Sequence, residues 1–279
     1  MKPNFIGAAA FSAFTLFALP SQAAIIFSDT FSDLSNGAWY TAATGTNSGT
    51  LDAGSGALVW SETGGGIQEV FGRSIPTTTV AVGETLRLTY SYTPGTGNSI
   101  IRAGFYDLNG TISQNGWGFG ETALTGAFSG FTSFLRVDSN LADHAARHDS
   151  GTLNTITTGT ANGPLQGGTS FTTISGADAK YTVSTSVTYT VVYEVTRTGT
   201  NSYTTSFSLS SDGTTHLNVV GSGNSSVAPT FDAVTLRQTG GSAIYDDITL
   251  EILPIPEPSA ALLSAIGFSG LLARRKRLK

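Results

Sequence analysis

The chain has 279 residues, enough for one substantial domain once removable ends are set aside, with 39% hydrophobic and only 12% charged side chains. It has no cysteine, which excludes disulfides, thiolate zinc sites and a cysteine nucleophile. The net charge of −5 is unevenly spread: without Lys2 and the bases of the tail, eight bases face eighteen acids between Ala24 and Pro256, a field that repels nucleic acid.

The amino terminus, MKPNFIGAAAFSAFTLFALPSQAA, opens with one base, Lys2, and continues as an apolar run from Phe5 to Leu19. Pro20 breaks that run, and Ser21-Gln22-Ala23 offers small residues where a signal peptidase reads them. About fifteen helical residues span roughly 22 Å, short of a hydrocarbon core of roughly 30 Å. Residues 1–23 are therefore expected to be a signal peptide cut after Ala23.

From Ala24 to Leu253 the pattern alternates with a period of two. GALVWSE (56–62) and TLRLTYSYT (85–93) come first, the latter setting Leu86, Leu88, Tyr90 and Tyr92 on one face. SIIRAGFYDL (99–108), YTVVYEVT (189–196) and SYTTSFSLS (202–210) follow, then FDAVTLRQ (231–238) and AIYDDITLEIL (243–253). Tyr189, Val191, Tyr193 and Val195 form a second expected inner face, and Tyr203, Thr205, Phe207 and Leu209 a third. The breaks carry turn residues: Pro94-Gly95, Asn109-Gly110, Asp212-Gly213 and Gly240-Gly241. Gly221–Ser226 reads as a loop, but two strong strands follow it, so residues 24–253 are kept as one domain. Many short strands with no sustained helical period predict an all-β, antiparallel sandwich or barrel.

The tail returns to membrane chemistry. Pro256-Glu257-Pro258 precedes a second apolar run, Ser259–Ala273, and then Arg274, Arg275, Lys276 and Arg277. Pro258 suits the first turn of a helix, and the basic cluster holds to the cytoplasmic side. The run thus reads as a short transmembrane helix with the body facing outward. Residues 254–279 resemble the PEP-CTERM sorting signal of Gram-negative bacteria that make exopolysaccharide. The resemblance implies recognition by an exosortase-type membrane protease, a transient inner-membrane anchor, removal of the tail, and delivery to the cell surface or outside the cell.

The body, from its opening FSDTFSDLSNGAWY (27–40) to its closing AIYDDITLEI (243–252), resembles the concanavalin A-like and laminin-G-like jelly rolls. That resemblance implies a jelly-roll sandwich whose first and last strands lie together. It would gather Asp29 and Asp33 near Asp246 and Asp247 as oxygen ligands for a structural calcium, an ion that takes about six to eight oxygens. The alternative places these acids in turns and at strand ends.

Other constellations are weaker. In DHAARHD (143–149), His144 and His148 would share a face on a helical turn between Asp143 and Asp149, yet Ala145 stands where a zinc protease needs glutamate. Glu69, Glu121 and Glu194 are the glutamates to inspect for glycoside cleavage, which needs carboxylates about 5–5.5 or 6.5–9.5 Å apart. Glu62 and Glu69 flank a glycine triplet and do not form the jelly-roll glucanase signature. Exposed rings for sugar stacking are expected at Trp117 and Phe119 in NGWGFGE and at Trp39-Tyr40, whereas Trp60 is expected in the core. The expected function is a non-catalytic structural or adhesive surface protein associated with exopolysaccharide, with direct glycan binding as one form of that role. The competing reading is a secreted glycoside hydrolase or polysaccharide lyase on the same fold.

Overall fold

The computed structural model describes residues 22–31, 39–41, 50–52, 56–61, 68–95, 100–108, 128–136, 147–153, 172–173, 181, 183–185, 187–224, 229–239 and 242–254. Among them are fifteen strands, numbered in chain order, and no helix. The segments around Ala23, Pro256–Pro258 and Arg274–Arg277 lie outside the described residues, apart from Gln22 and Ala23 themselves.

The strands form two antiparallel sheets. In the eight-stranded sheet the order is β13 (Thr214–Asn224), β12 (Ser202–Ser211), β11 (Tyr189–Arg197), β6 (Thr85–Pro94), β15 (Ser242–Leu253), β4 (Leu58–Ser61) and β3 (Thr50–Asp52). Its eighth strand, β1 (Ala24–Asp29), also pairs with β15, so the first and last strands of the body are neighbours, as the jelly-roll resemblance implies. The seven-stranded sheet runs β10 (Thr172–Thr173), β9 (Arg147–Leu153), β8 (Phe128–Arg136), β7 (Ile100–Asp107), β14 (Thr230–Thr239), β5 (Gln68–Thr79) and β2 (Tyr40–Thr41).

Alternation decides which face each strand buries. In β6, β11 and β12 the three expected inner faces are all buried, Thr205 included. Aromatic pairs then join the sheets: Phe105 stacks on Tyr193 at 5.0 Å between centroids, Phe71 meets Tyr245 edge-on at 5.1 Å, and Phe131 meets Tyr203 at 4.7 Å. Each such side chain contributes about 1.5–3 kcal/mol on burial, before any specific ring geometry is counted. Burial also pushes the Tyr90, Tyr92 and Tyr245 hydroxyls well above their ordinary value of 10.0, because the core disfavours phenolate.

Turn chemistry is legible in one hairpin above all. Asp212 and Gly213 both take positive φ, 50° and 73°, joining β12 to β13 through a two-residue turn. Pro94-Gly95 instead closes β6, with the Gly95 amide donating to the Ser242 carbonyl at 2.7 Å. The expected loop at Gly221–Ser226 is corrected over its first half: residues 221–224 complete β13, paired with Ser202–Thr205 of β12.

Candidate functional site

The junction of β1 and β15 holds the acids expected to bind calcium, and it uses them otherwise. Asp29 Oδ2 accepts from Arg73 Nη1 at 2.9 Å and from Trp39 Nε1 at 3.0 Å, while Oδ1 accepts from the Phe31 amide at 2.9 Å. Burial lowers the Arg73 pKa from its ordinary value and the Asp29 carboxylate opposes that shift; the guanidinium also lies 4.4 Å from the Phe27 ring centroid. Asp246 Oδ1 accepts from the next amide, Asp247, at 2.7 Å. Asp247 has φ 50° within the bulge between Asp246 and Thr249, a left-handed position that a short polar side chain tolerates.

The acid pair therefore shapes a bulge, and Asp29 ties β1 to β5. Among the described residues no group of three or more acids, histidines or cysteines is placed to hold a metal ion. Asp33 lies outside the described residues.

Trp39 and Tyr40 part company. The Trp39 ring packs within 6.2–6.4 Å, centroid to centroid, of Phe27, Phe31 and Phe71, and its N–H is committed to Asp29. It is a half-buried edge of the core and not the open platform expected from the sequence. Tyr40 begins β2 opposite Gly72 of β5, on the other face, and is partly exposed. Trp117, Phe119, Glu62, Glu121, Asp143 and His144 lie outside the described residues, as do the side chains of Trp60, Glu69, His148 and Asp149. His148 sits on strand β9, which begins at Arg147.

Glu194 is on the outer face of the eight-stranded sheet. It accepts from Arg87 Nε and from Ser206 Oγ, each at 2.7 Å, and Arg87 Nη1 reaches Glu251 at 3.5 Å. The guanidinium thus occupies the space between two carboxylates, where a glycosidic oxygen would have to lie. Hydroxyl pairs occupy both ends of this face, Thr85–Thr196 and Thr93–Thr188, both at 2.7 Å.

The outer face of the seven-stranded sheet is built differently. Ala103 and Phe105 of β7 face the core, so Arg102, Gly104 and Tyr106 face away. Across the ladder Tyr106 is opposite Gly130 and Ala233, and Gly104 is opposite Thr235, which is opposite Gly72, which is opposite Tyr40. The Tyr106 ring lies over this glycine floor: a Cβ on Gly104 would sit 2.5 Å from Tyr106 Cε2 and 3.1 Å from Thr235 Oγ1. On Gly130 a Cβ would collide with the Phe105 carbonyl and with the same ring. Although they point away from the core, Arg102, Thr235 and Tyr106 are only 8%, 3% and 1% exposed. Sequence reasoning identified this strand but missed the face; the signal was Arg102, Gly104 and Tyr106 alternating with Ala103 and Phe105.

No protein-family model matches the chain, and no curated protein matches it. Solved structures similar to it include a galectin-like protein of unknown function from Bacillus subtilis, 11% identical, TM-score 0.46, covering 83% of this chain and 97% of that one. The legume lectin-like domain from Entamoeba histolytica is 6% identical, TM-score 0.47, covering 84% and 100%. An endo-1,3-beta-glucanase from Streptomyces sioyaensis is 14% identical, TM-score 0.44, covering 85% and 98%. At these identities and scores the likeness bears on neither ligand nor activity. The assignment as an antiparallel sandwich rests on the strand pairing itself.

Proposed function

We propose that the body is a non-catalytic glycan-binding module that uses the outer face of its seven-stranded sheet, exported and displayed at the cell surface. The observation that carries this reading is Tyr40, partly exposed at the edge of an outward sheet face on which Gly72 and Gly104 flank the buried Thr235. Tyr40, at the partly exposed edge of the same face, supplies a ring for stacking against the C–H face of a sugar. Arg102, Tyr106 and Thr235 fix the floor beneath, and the glycines keep it flat.

Export and display rest on the signal peptide and on the PEP-CTERM-like tail with Pro256, Glu257 and Pro258. In this reading a signal peptidase and an exosortase-type protease process the two ends, and exopolysaccharide is the partner outside. At Glu194 and Glu251 glycan cleavage is disfavoured by Arg87, whose guanidinium bonds both carboxylates. The test is binding of the purified protein to a panel of soluble polysaccharides by isothermal titration calorimetry, with Tyr40→Ala as the comparison. Binding that falls about tenfold in Tyr40→Ala with unchanged melting temperature supports the module. A panel with no binder, or release of reducing ends from any of its members, contradicts it.

A further inference from the structure

The open edges of the two sheets are treated unequally by the sequence. Among the described residues, β13, β3, β10 and β2 end the two strand orders. β3, β10 and β2 have three, two and two residues, short edges that discourage further pairing. β1, beside β15, has a register shift between Ile25 and Phe27 and ends on an acid, Asp29. β13 is different. It runs eleven residues, Thr214–Asn224, with no proline and no lysine, arginine, aspartate or glutamate. Its register shift is confined to its start, beside Ser210, and Leu217–Asn224 then pairs without a break against Ser202–Leu209 of β12. His216 is tied into that start, stacked on Tyr181 at 4.4 Å and hydrogen-bonded with Ser211 Oγ at 2.7 Å. β12 carries no charged side chain either. In a body where acids outnumber bases eighteen to eight, two copies approach this uncharged edge with little repulsion.

The residue pattern of β13 is its own complement. Leu217, Val219 and Gly221 are buried, whereas Val220 is turned outward and 54% exposed. A second β13 laid antiparallel to the first, with Val220 opposite Val220, sets Val219 opposite Gly221 and Leu217 opposite Gly223. Each large inner side chain then meets a position that has none. On the outer side the two exposed valines meet, and Asn218 comes opposite Ser222. Moving the axis by one residue sets Val220 opposite Asn218 or Ser222 and loses the apolar contact.

We infer that β13 is a self-association edge: two copies of this chain pair through it, antiparallel about a two-fold axis at Val220, and join their eight-stranded sheets into one. Strand addition supplies backbone hydrogen bonds, and the two-fold axis makes each side-chain contact twice. The contact is small, so the dimer forms reversibly and grows with concentration. This inference is independent of the glycan-binding reading.

The experiment is sedimentation equilibrium of the full protein from low micromolar to several hundred micromolar concentration. It compares the native chain, Val220→Lys, Val220→Glu, and an equimolar mixture of the two variants. The native chain is expected to form a reversible dimer. Each variant alone should associate at least about tenfold more weakly, because like charges then lie directly opposite. The mixture should recover the dimer, because the facing charges are then of opposite sign. Melting temperatures of the dilute variants should match the native chain, since Val220 is exposed and its substitution leaves the core intact. A native chain that stays monomeric throughout overturns the inference. Association that both variants retain also overturns it, because the copies then meet elsewhere. A mixture that remains monomeric overturns it as well, because residue 220 is then not opposite itself.

Discussion

The two outer faces of this sandwich come from the same kind of strand and have opposite characters. On the eight-stranded sheet the outward positions are Thr85, Arg87, Thr190, Glu194, Ser206 and their neighbours, and Arg87 shares its charge with two carboxylates in a half-exposed network. On the seven-stranded sheet the described outward residues of β7 and β14 include Arg102, Gly104, Tyr106, Ala233 and Thr235, and these are buried. The first face solves its own electrostatics with its own residues and meets water. The second holds a buried base and a ring over glycine. Outward alternation locates a solvent face in general; buried polar residues on such a face locate a site.

The largest effect strikes both faces together, through the core between them. The folded state holds Tyr90, Tyr92 and Tyr245 neutral, whereas unfolded tyrosines ionise near their ordinary value of 10.0. Their stabilisation is therefore complete below about pH 10 and is lost as pH rises above it, at up to about 4 kcal/mol per pH unit for three groups. Cooperative unfolding between about pH 11 and 13, with a step in phenolate absorbance that coincides with loss of the β-sheet circular dichroism signal, is the expected outcome. Smooth ionisation near pH 10 with the fold intact would show that these hydroxyls reach water.

Single substitutions then separate the faces. Tyr106→Ala is expected to cost about 3–5 kcal/mol in urea unfolding, the range for a large aromatic removed from a packed site. Arg87→Gln, on the opposite face, should cost only about 0.5–1 kcal/mol, and less in high salt, because its partners remain within reach of water. Ser208→Ala, on the same face of β12 two positions from Ser206, should stay within about 0.5 kcal/mol of the native chain. If Ser208→Ala and Tyr106→Ala cost the same, the two faces are not distinct.

Much of the sandwich was legible where a strand buries one face and wets the other. TLRLTYSYT and YTVVYEVT show their inner residues directly, because Leu, Val and Tyr alternate with Thr, Ser and Glu. β5 was missed because Gly72 and Pro76 interrupt its pattern and the pairing with β14 shifts register between Phe231 and Ala233. β13 was missed: no strand was expected between residues 210 and 231, and Gly221 and Gly223 look like loop residues, yet each pairs normally with β12. The candidate site was the least legible part. The sequence marked SIIRAGFYDL as a strand without assigning its faces, and only the packed structure shows Arg102 and Tyr106 on its outer side and buried. The register that sets Asp29 opposite Ile248, beside Asp246 and Asp247, follows the expected pairing of first and last strands, whereas the ion pair of Asp29 with Arg73 and the bulge at Asp247 were not legible in the sequence.

The central claim is that the seven-stranded sheet, and not the eight-stranded one, carries the glycan. Amide hydrogen exchange of the full protein, with and without the polysaccharide of the panel that binds it most tightly, tests it most directly. The account predicts slower exchange in β7 and β14, centred on Arg102–Tyr106 and Ala233–Arg237, with β6, β11 and β12 unchanged. Protection confined to β11 and β12 around Glu194 and Ser206 would contradict it and move the site to the opposite face.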